Sequence, residues 1–286
     1  MVETMDPILT GRPQVAAERL DQAVAALASC DICHHRCAVN RQAGPAGRCG
    51  AGPEPRVFSS QVEVGDEMEI VPAYAIALSG CNMRCAFCIT GDESWHPQRG
   101  RWHGAAAIAE RAAAAIKSGR SNSLLLLGGE PTIHLPWLLE LVAAMPDNSR
   151  LVLKTNGLST ASARSLLAGL FDVWIVDFKF GNDTCAKTLS QTPGYTAAVC
   201  DTLLWAAGDT DLIIRHLLMP GHVECCWRPV AEWIACYLPT AKVSLRSGYW
   251  PSWRATEHTP LDRPLDSREL SAAEEIARIY NLRLVP

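Results

Sequence analysis

The sequence lacks a dominant charge, a long apolar run and a leader-like beginning. Its 286 residues carry a net charge of -4, which provides no broad basic surface for nucleic acid. Apolar windows such as 73–78 and 124–127 are far shorter than the about 20 residues of a membrane-spanning helix. Residues 1–10 contain no basic segment followed by an apolar one, which argues against a secretory signal. We therefore expect a cytoplasmic protein with neither nucleic acid nor a membrane as a partner.

Cysteine, in contrast, is abundant, with twelve residues in the chain. In a reducing compartment, clustered cysteines more often hold metal or do redox chemistry than form disulfides. Four lie in an N-terminal cluster, three in a second cluster, and five are scattered further on. In that order they are Cys30, Cys33, Cys37 and Cys49; Cys81, Cys85 and Cys88; and Cys185, Cys200, Cys225, Cys226 and Cys236.

Short apolar runs alternate with helix-like segments from about residue 71 onward, after a first helix-like segment at 14–29. The runs are typical of buried parallel strands and lie at 74–78, 124–127, 151–153, 173–176, 212–214 and 243–245. Further helices are expected near 105–118, 134–145, 160–170, 195–207, 226–238 and 267–280. This alternation predicts an α/β fold, a partial (β/α)6 barrel.

The composition also predicts a division of the chain into three parts. Residues 1–70 would form a helix and a small cysteine-rich metal module, and residues 71–250 the barrel core. Residues 251–286 would be a C-terminal extension with a helix. In such folds the chemistry lies at the C-terminal ends of the strands, so the residues directly after each apolar run are the candidates for a site.

The second cysteine cluster directly follows the first predicted strand. Cys81, Cys85 and Cys88 supply three thiolates within eight residues. Three thiolates can hold three irons of a cubane cluster and leave the fourth iron open to a ligand. A zinc knuckle completed by His96 or His103 is the alternative.

The C-x3-C-x2-C spacing, with Phe87 before the last cysteine, resembles the signature of the radical S-adenosylmethionine (SAM) superfamily. The resemblance implies a [4Fe-4S] cluster whose open iron binds SAM, and reductive cleavage of SAM to methionine and a 5′-deoxyadenosyl radical. It also implies that Phe87 lies near the adenine. The segment Gly128-Gly129-Glu130-Pro131 resembles that family's GGE motif, in which Glu130 and the glycine backbone meet the amino group of SAM.

Further segments resemble the activating-enzyme branch of this superfamily, which includes pyruvate formate-lyase activating enzyme. They are TNG at 155–157, DFK at 177–179, and Arg215, and the match covers about residues 72–250. The resemblance implies that Lys179 contacts the SAM carboxylate and that Thr155 and Asp177 line a small cation site beside it. Asn156 and Arg215 are expected among the other cofactor-binding residues.

Lys154 departs from that branch, whose best-known members carry aspartate before the TNG triplet. A lysine ammonium at this position can supply the positive charge that a bound monovalent cation supplies elsewhere. We therefore expect a built-in cation beside Thr155 and Asp177. The alternative is a Lys154 side chain that points to solvent from the strand end.

The N-terminal cluster, Cys30-x2-Cys33-x3-Cys37-x11-Cys49, predicts a second metal site among glycine-rich turns. Zinc, a single iron and a second Fe–S cluster all suit four thiolates, and the spacing does not decide among them. The module could relay electrons or brace the fold as part of the substrate wall, and buried free thiols are the remaining alternative. Some relatives in the same branch carry a similar segment.

The five scattered cysteines are expected to be small apolar residues. Cys225 and Cys226 are adjacent, so their side chains should point in different directions and not chelate one ion together. His216 and His222 are interpreted as structural histidines that could instead donate to SAM or substrate. The aromatic and cationic loop at 89–104 is expected to shield the cluster, and recognition of a peptide or carboxylate substrate is the alternative.

The resemblance implies an enzyme that abstracts hydrogen from a protein or peptide, either to create a glycyl radical or to modify a peptide. It also implies an electron donor such as flavodoxin or ferredoxin. A small-molecule substrate is the alternative, and a non-catalytic iron or zinc protein is a more remote one. A shallow open barrel favours the large substrate, because a chain can enter it laterally.

Overall fold

The computed structural model describes residues 11–65 and 67–286. The described strands are β1 (Arg56–Glu63), β2 (Ala73–Leu78), β3 (Arg101–Trp102), β4 (Ser123–Gly128), β5 (Leu151–Thr155), β6 (Val173–Asp177), β7 (Asp211–Leu217), β8 (Lys242–Arg246) and β9 (Arg283–Leu284). The described α-helices are α1 (Arg12–Ala25), α2 (Gly91–Trp95), α3 (Ala105–Lys117), α4 (Leu135–Ala144), α5 (Ala161–Leu167), α6 (Asp183–Ser190), α7 (Tyr195–Asp209), α8 (Arg228–Tyr237) and α9 (Ser267–Ile279). The segment 1–10, in which no secretory signal is expected, lies outside the described residues.

All nine strands form one sheet in the order β3-β1-β2-β4-β5-β6-β7-β8-β9. From β2 to β9 every neighbouring pair is parallel, and helices occupy the connections. The edge strands β3 and β9 are not paired with each other, so the barrel is open. The predicted α/β partial barrel is confirmed, and each of the six predicted strands is present.

The sequence prediction missed β1, β3, β9, α2 and α6. Strand β1 pairs antiparallel with β2 and contains an irregularity between Val57 and Ser59. Its segment RVFSSQVE has no apolar run that would mark a buried strand. The strand joins the predicted first segment, 1–70, to the sheet of the core. The division at residue 70 itself stays a prediction.

Short polar side chains fix where several helices begin. Asn182 accepts a hydrogen bond from the Cys185 amide at the start of α6, and Thr160 accepts one from Ala163 at the start of α5. Asp266 and Glu269 form a reciprocal capping box at the start of α9. Each such cap accepts hydrogen bonds from amide groups that the helix itself leaves unpaired. A cap typically stabilises the folded protein by about 1 kcal/mol.

Two clusters of buried apolar side chains pack against the sheet. The larger one packs the helices against it, and the smaller one comprises Ile70, Ala73, Ala75, Leu125, Val152, Val173, Ile175 and Ile213. Alternate strand residues share one face, so the face of this smaller cluster continues through Lys154, Asp177 and Arg215. The barrel interior therefore changes from apolar to charged towards the C-terminal ends of its strands.

No helix in the described part of the chain combines the length and the apolar character that crossing a membrane requires.

Candidate functional site

The triad loop, residues 81–88, follows β2 and is held by the C-terminal turn of α6. The Arg84 amide donates to the Ser190 carbonyl at 3.0 Å, and the Ala86 amide donates to the Leu189 carbonyl at 2.8 Å. Cys81 and Cys85 are each 9% exposed. Burial raises the pKa of the Cys85 thiol to about 12. These sulfurs would therefore lose their protons only to a metal that binds them.

Nearby donors and the spread of the sulfurs suit a cluster. The Met83 amide and Asn156 Nδ2 donate to Cys81 Sγ at 3.4 and 3.7 Å. Among the described residues, only one group has three or more ligand atoms within 4.8 Å of one another, and it does not include the triad. A cubane binds each cysteine through a different iron and so spreads the sulfurs further apart than one ion does.

Gly128 and Gly129 are required by a close approach of β4 to β2. A Cβ on Gly128 would lie 2.3 Å from the Leu78 nitrogen, and one on Gly129 would lie 2.0 Å from the Gly80 oxygen. Gly128 also has φ +125°, which L side chains rarely adopt. Close backbone packing therefore explains why both positions are glycine, and it places the end of β4 beside the triad loop.

Glu130 connects the ends of β4 and β5. Its carboxylate is fully buried and accepts hydrogen bonds from Thr132 Oγ1, Thr155 Oγ1 and the Asn156 amide, each at 2.7 Å. Burial raises the pKa of Glu130. The residue expected to meet the SAM amino group thus also positions Thr155 and Asn156.

Lys179 and Asp177 form an ion pair at the end of β6, with Nζ 2.5 Å from Oδ2. Burial alone would raise the pKa of Asp177, but Lys179, Arg215 and Lys154 lower it. Tyr195 supports the pair, because its hydroxyl donates to the Asp177 carbonyl at 3.0 Å and accepts from the Lys179 amide at 2.7 Å. Both charges are therefore fixed at the mouth of the barrel.

Lys154 lies inside the barrel, where its side chain is 11% exposed. Its ammonium is 3.7 Å from Glu67 Oε2, and Arg215 Nε is 3.2 Å from Glu67 Oε1. Ser244 Oγ also donates to Glu67 Oε1 at 3.0 Å. Sequence reasoning missed the fully buried Glu67, because it lies in the turn before β2 and not after a strand.

Phe87 and His216 occupy structural positions near the site. Phe87 packs edge-on against Phe180, with ring centroids 6.0 Å apart. His216 Nδ1 donates to the Phe178 carbonyl at 2.6 Å. Burial lowers the pKa of His216 to about 4, so the ring is neutral near pH 7. The interpretation of His216 as a structural histidine agrees with this geometry.

The four-cysteine module packs directly on the loop after β5. Cys33 forms an antiparallel bridge with Ser159, and the Thr160 amide donates to the Ile32 carbonyl at 3.0 Å. His35 Nε2 lies 2.8 Å from the carbonyl oxygen of Asn82 in the triad loop. The module therefore contacts both the loop after β5 and the triad loop.

A small cavity of about 10 Å³ inside the module is lined by all four cysteines. Arg41 is buried beside it, with Nε donating to the Ala51 carbonyl at 2.8 Å and a terminal nitrogen 3.7 Å from Cys30 Sγ. Among the described residues, no carboxylate lies within ion-pair distance of Arg41. Metal-bound thiolates would balance this buried charge.

Asn82 lies between the two predicted metal sites. Its Oδ1 accepts from Asn156 Nδ2 at 2.7 Å. Its Nδ2 is buried without a hydrogen-bond partner among the described residues. A buried donor without a partner costs about 1–3 kcal/mol, and an acceptor on a bound cluster would satisfy it.

The expectation that the adjacent Cys225 and Cys226 point in different directions is wrong. The sulfurs of Cys185, Cys225 and Cys226 gather around His222. Cys225 and Cys226 lie in a π-helical turn, Val223–Trp227, which brings their sulfurs to 4.0 Å of each other. Cys200 packs partly buried against the core, and Cys236 is exposed. The local sequence His222-x2-Cys225-Cys226 was the signal that could have revealed this group.

Comparison with known proteins agrees with this geometry. A family model described as the radical SAM superfamily matches residues 76–234. An uncharacterized protein of Methanocaldococcus jannaschii is 33% identical over 261 residues, 90% of this chain and 76% of that protein. 7-Carboxy-7-deazaguanine synthase of Halobacterium salinarum is 30% identical over 120 residues, 41% of this chain and 44% of that enzyme. The solved structure of Streptococcus suis SuiB bound to its precursor peptide SuiA has a TM-score of 0.54 and 15% identity, covering 71% of this chain and 46% of SuiB.

Proposed function

The chain belongs to the radical SAM superfamily, and we propose that Cys81, Cys85 and Cys88 hold the [4Fe-4S] cluster at which this enzyme cleaves SAM. The cluster, when bound with SAM, supplies the electron that cleaves SAM to methionine and a 5′-deoxyadenosyl radical. The observation that carries the proposal is the meeting of the triad loop with Glu130 and the Lys179–Asp177 pair at one edge of the sheet.

The chain's own residues would orient SAM by charge. Lys179 would bind its carboxylate, and Glu130 would accept from its ammonium while keeping Thr155 and Asn156 in place. Phe87, Gly128, Gly129 and Arg215 would complete the cofactor site. Lys154 would supply the positive charge of a monovalent cation from inside the barrel, where Glu67 and Asp177 balance it. Charge-assisted contacts of this kind are the stronger hydrogen bonds in proteins.

The experiment is anaerobic reconstitution with iron and sulfide, followed by reduction and measurement of 5′-deoxyadenosine. The wild type should form a [4Fe-4S] cluster and cleave SAM. The variant with Cys81, Cys85 and Cys88 all changed to alanine should lose SAM cleavage and the iron of this site. Cys200→Ser with Cys236→Ser is the matched control and should behave as the wild type. Substantial SAM cleavage by the triple variant would remove the triad from the site.

We also propose that residues 1–70 carry a second Fe–S cluster bound by Cys30, Cys33, Cys37 and Cys49. Among the described residues, no three of these sulfurs lie within 4.8 Å of one another, whereas the ligand atoms around a single tetrahedral ion lie about 3.6–3.8 Å apart. Asn82 lies between both cysteine sites, because His35 of the module contacts its carbonyl oxygen and Asn156, which donates to Cys81 Sγ, also donates to its Oδ1. The proposed role of the module is to relay electrons from a donor such as flavodoxin or ferredoxin, which its contact with the triad loop supports.

Metal analysis of the triad variant tests the second cluster. Iron and sulfide should remain after the triad is lost, and Cys33→Ser with Cys49→Ser in the triad variant should remove them. A folded triad variant that contains no iron would show that the module holds no cluster. Zinc that is lost on adding Cys33→Ser with Cys49→Ser, in place of iron, would establish the module as a structural brace.

We propose a protein or peptide as the substrate. Its binding surface would lie on the core at 71–250 and the extension at 251–286. Ile89 and Trp250 are 82% and 72% exposed beside the triad loop. Ser252 Oγ donates to the Cys88 carbonyl at 3.2 Å, and the Arg254 amide donates to the Ala86 carbonyl at 2.8 Å. The segments that carry these two exposed apolar side chains therefore contact each other, and apolar surface of this kind can serve as an interaction site. SuiB, solved with a precursor peptide, has the same fold.

Stimulation of SAM cleavage distinguishes the two substrate classes. Macromolecular and low-mass fractions of a cell extract are added separately to reconstituted enzyme, and 5′-deoxyadenosine is measured. The macromolecular fraction should stimulate cleavage, and Trp250→Ala should reduce the ratio of stimulated to unstimulated rates. Leu204→Ala, at an exposed position on α7, is the control. Stimulation by the low-mass fraction alone would establish a small-molecule substrate.

A further inference from the structure

Four side chains outside the proposed SAM site gather at the ends of two neighbouring strands. Cys185 lies in the first turn of α6, after β6, and His222, Cys225 and Cys226 lie in and before the π-helical turn after β7. His222 Nδ1 is 3.6, 3.3 and 3.8 Å from the sulfurs of Cys185, Cys225 and Cys226. The Cys225 sulfur is 3.9 Å from that of Cys185 and 4.0 Å from that of Cys226. We name these four residues the α6 group.

These separations match the edges of a tetrahedron around one ion. Zinc bound at about 2.3 Å to sulfur and about 2.0–2.1 Å to nitrogen places sulfurs about 3.8 Å apart and nitrogen about 3.6 Å from sulfur. All ligand atoms of the group lie within 4.8 Å of one another. An iron–sulfur cubane spreads its cysteine sulfurs over several irons and does not fit this spacing.

A neighbouring side chain supports the ligands. Asn182 Nδ2 donates to Cys185 Sγ at 3.2 Å and to the Cys225 carbonyl at 2.7 Å, and lies 3.9 Å from Cys226 Sγ. Donors of this kind orient metal ligands and balance the charge of thiolates. At Gly181 a Cβ would lie 2.3 Å from the Cys226 carbonyl oxygen, so glycine there lets the two segments meet.

We propose that Cys185, His222, Cys225 and Cys226 bind a single structural zinc ion. Three thiolates and one imidazole complete a tetrahedron and leave no position open for a substrate, which is typical of structural and not catalytic zinc. The ion would tie the end of β6 to the end of β7. It would also fix α6, whose Leu189 and Ser190 carbonyls hold the triad loop. This site is independent of the SAM chemistry proposed above.

Zinc content tests the proposal directly. The full chain is purified anaerobically from zinc-supplemented cells, and zinc is counted per chain. Cys225→Ser should lose one zinc equivalent relative to the wild type, since Cys225 is exposed and its replacement leaves the core unchanged. Cys236→Ser, another exposed cysteine, is the matched control and should lose none. X-ray absorption at the zinc edge should show three sulfurs at about 2.3 Å and one nitrogen at about 2.0 Å.

Three results would overturn the proposal. Equal zinc in the wild type and Cys225→Ser would show that the group binds none. Loss of iron instead of zinc would show that it belongs to a cluster. A Cys185–Cys225 disulfide in freshly purified, zinc-free protein would show that the pair is a redox couple.

A second variant keeps the proposal testable even if Cys225→Ser folds poorly. Asn182→Asp keeps the oxygen that caps α6 and removes the amide donor to the thiolates. Loss of such an outer contact typically weakens metal binding about 10–100-fold. Competition with a chelator should therefore strip zinc from Asn182→Asp at about 10–100-fold lower chelator concentration, while the exposed Asn148→Asp behaves as the wild type. Equal retention in both would contradict the role of Asn182 and of the group.

Discussion

The two ends of helix α6 carry cysteine sites of opposite character. At its C-terminal end, the carbonyls of Leu189 and Ser190 hold the triad loop, whose three cysteines lie within eight residues of the sequence. At its N-terminal end, Cys185 joins His222, Cys225 and Cys226 from the next strand end. The cysteines of the triad are close in sequence, but their sulfurs do not lie within 4.8 Å of one another. The ligand atoms of the α6 group come from distant segments and do lie within that distance. Sequence spacing can therefore reveal that cysteines bind metal, but only the folded separation of the sulfurs indicates how many metal atoms they hold.

The triad loop and the α6 group also differ in the charged and polar side chains around them. The triad loop faces Glu130, Lys179 and Asp177, which can bind the charged ends of an external ligand. The α6 group is surrounded by its own amide donor from Asn182 and has four ligands of its own. The first site is open to a reactant, and the second is closed. Substitutions of the charged residues should consequently change SAM binding without changing zinc content.

Glu130→Gln should have the largest effect on the open site. Gln retains the shape but loses the charge that would attract the SAM ammonium, and its amide group points a donor at either the Asn156 amide or the Thr155 hydroxyl. The lost charge-assisted contact costs about 1.5–3 kcal/mol, and the rearranged network would also displace Thr155 and Asn156, so SAM binding should weaken about 100-fold or more. Isothermal titration of reconstituted protein measures it. Glu140→Gln, exposed on α4, is the control, and unchanged affinity would contradict the role of Glu130.

Lys179→Met should weaken SAM binding less, by about 10–100-fold, because one charge-assisted contact is lost and no hydrogen-bond network is rearranged. Asp177 then keeps Arg215 and Lys154 as the cations that lower its pKa. The cluster spectrum and the zinc content should match those of the wild type. Lys187→Met on α6 is exposed and should leave affinity unchanged. An equal effect of both methionine variants would place Lys179 outside the SAM site.

Lys154→Asp should make the enzyme dependent on a monovalent cation. Its rate of SAM cleavage should be about tenfold higher in K⁺ than in a bulky organic cation. The new carboxylate would face Glu67 and Asp177 inside a low-dielectric barrel, where like charges repel strongly. The wild type should cleave SAM at nearly equal rates in K⁺, Na⁺ and the organic cation at constant ionic strength. The exposed Lys117→Asp controls for the change of charge. Strong K⁺ activation of the wild type would mean that Lys154 does not replace the ion.

The sequence predicted those features whose signal is local. The strand ends, the triad and the charged residues after β5 and β6 follow from apolar runs and short spacings, so six strands and the position of the site were foreseeable. Glu67 and the α6 group were not, because each depends on segments that only the fold brings together. The prediction about adjacent cysteines failed because it assumed an ordinary turn, whereas Cys225 and Cys226 occupy a π-helical turn. Buried histidines are equally hidden, since composition does not reveal which ring is desolvated.

Two such histidines give the last prediction, which concerns stability and not the metal sites. His134 Nε2 donates to the Ser79 carbonyl and His216 Nδ1 to the Phe178 carbonyl, and burial lowers their pKa values to about 3 and about 4. Unfolding returns each pKa to about 6.5, so the unfolded chain binds more protons below that pH. Their contribution is complete above pH 6.5 and is lost as the pH falls, by about 1.3 kcal/mol per histidine between pH 7.5 and 5.5.

His134→Gln with His216→Asn keeps a donor at each carbonyl but cannot titrate, so it should flatten the pH dependence. Anaerobic denaturant melts at pH 7.5, 6.5 and 5.5 should show the double variant losing about 2.6 kcal/mol less stability than the wild type over this range. Acid lability of the metal sites is common to both proteins and cancels in the difference. Identical slopes for the wild type and the double variant would mean that both rings take up protons in the folded protein as readily as in the unfolded chain.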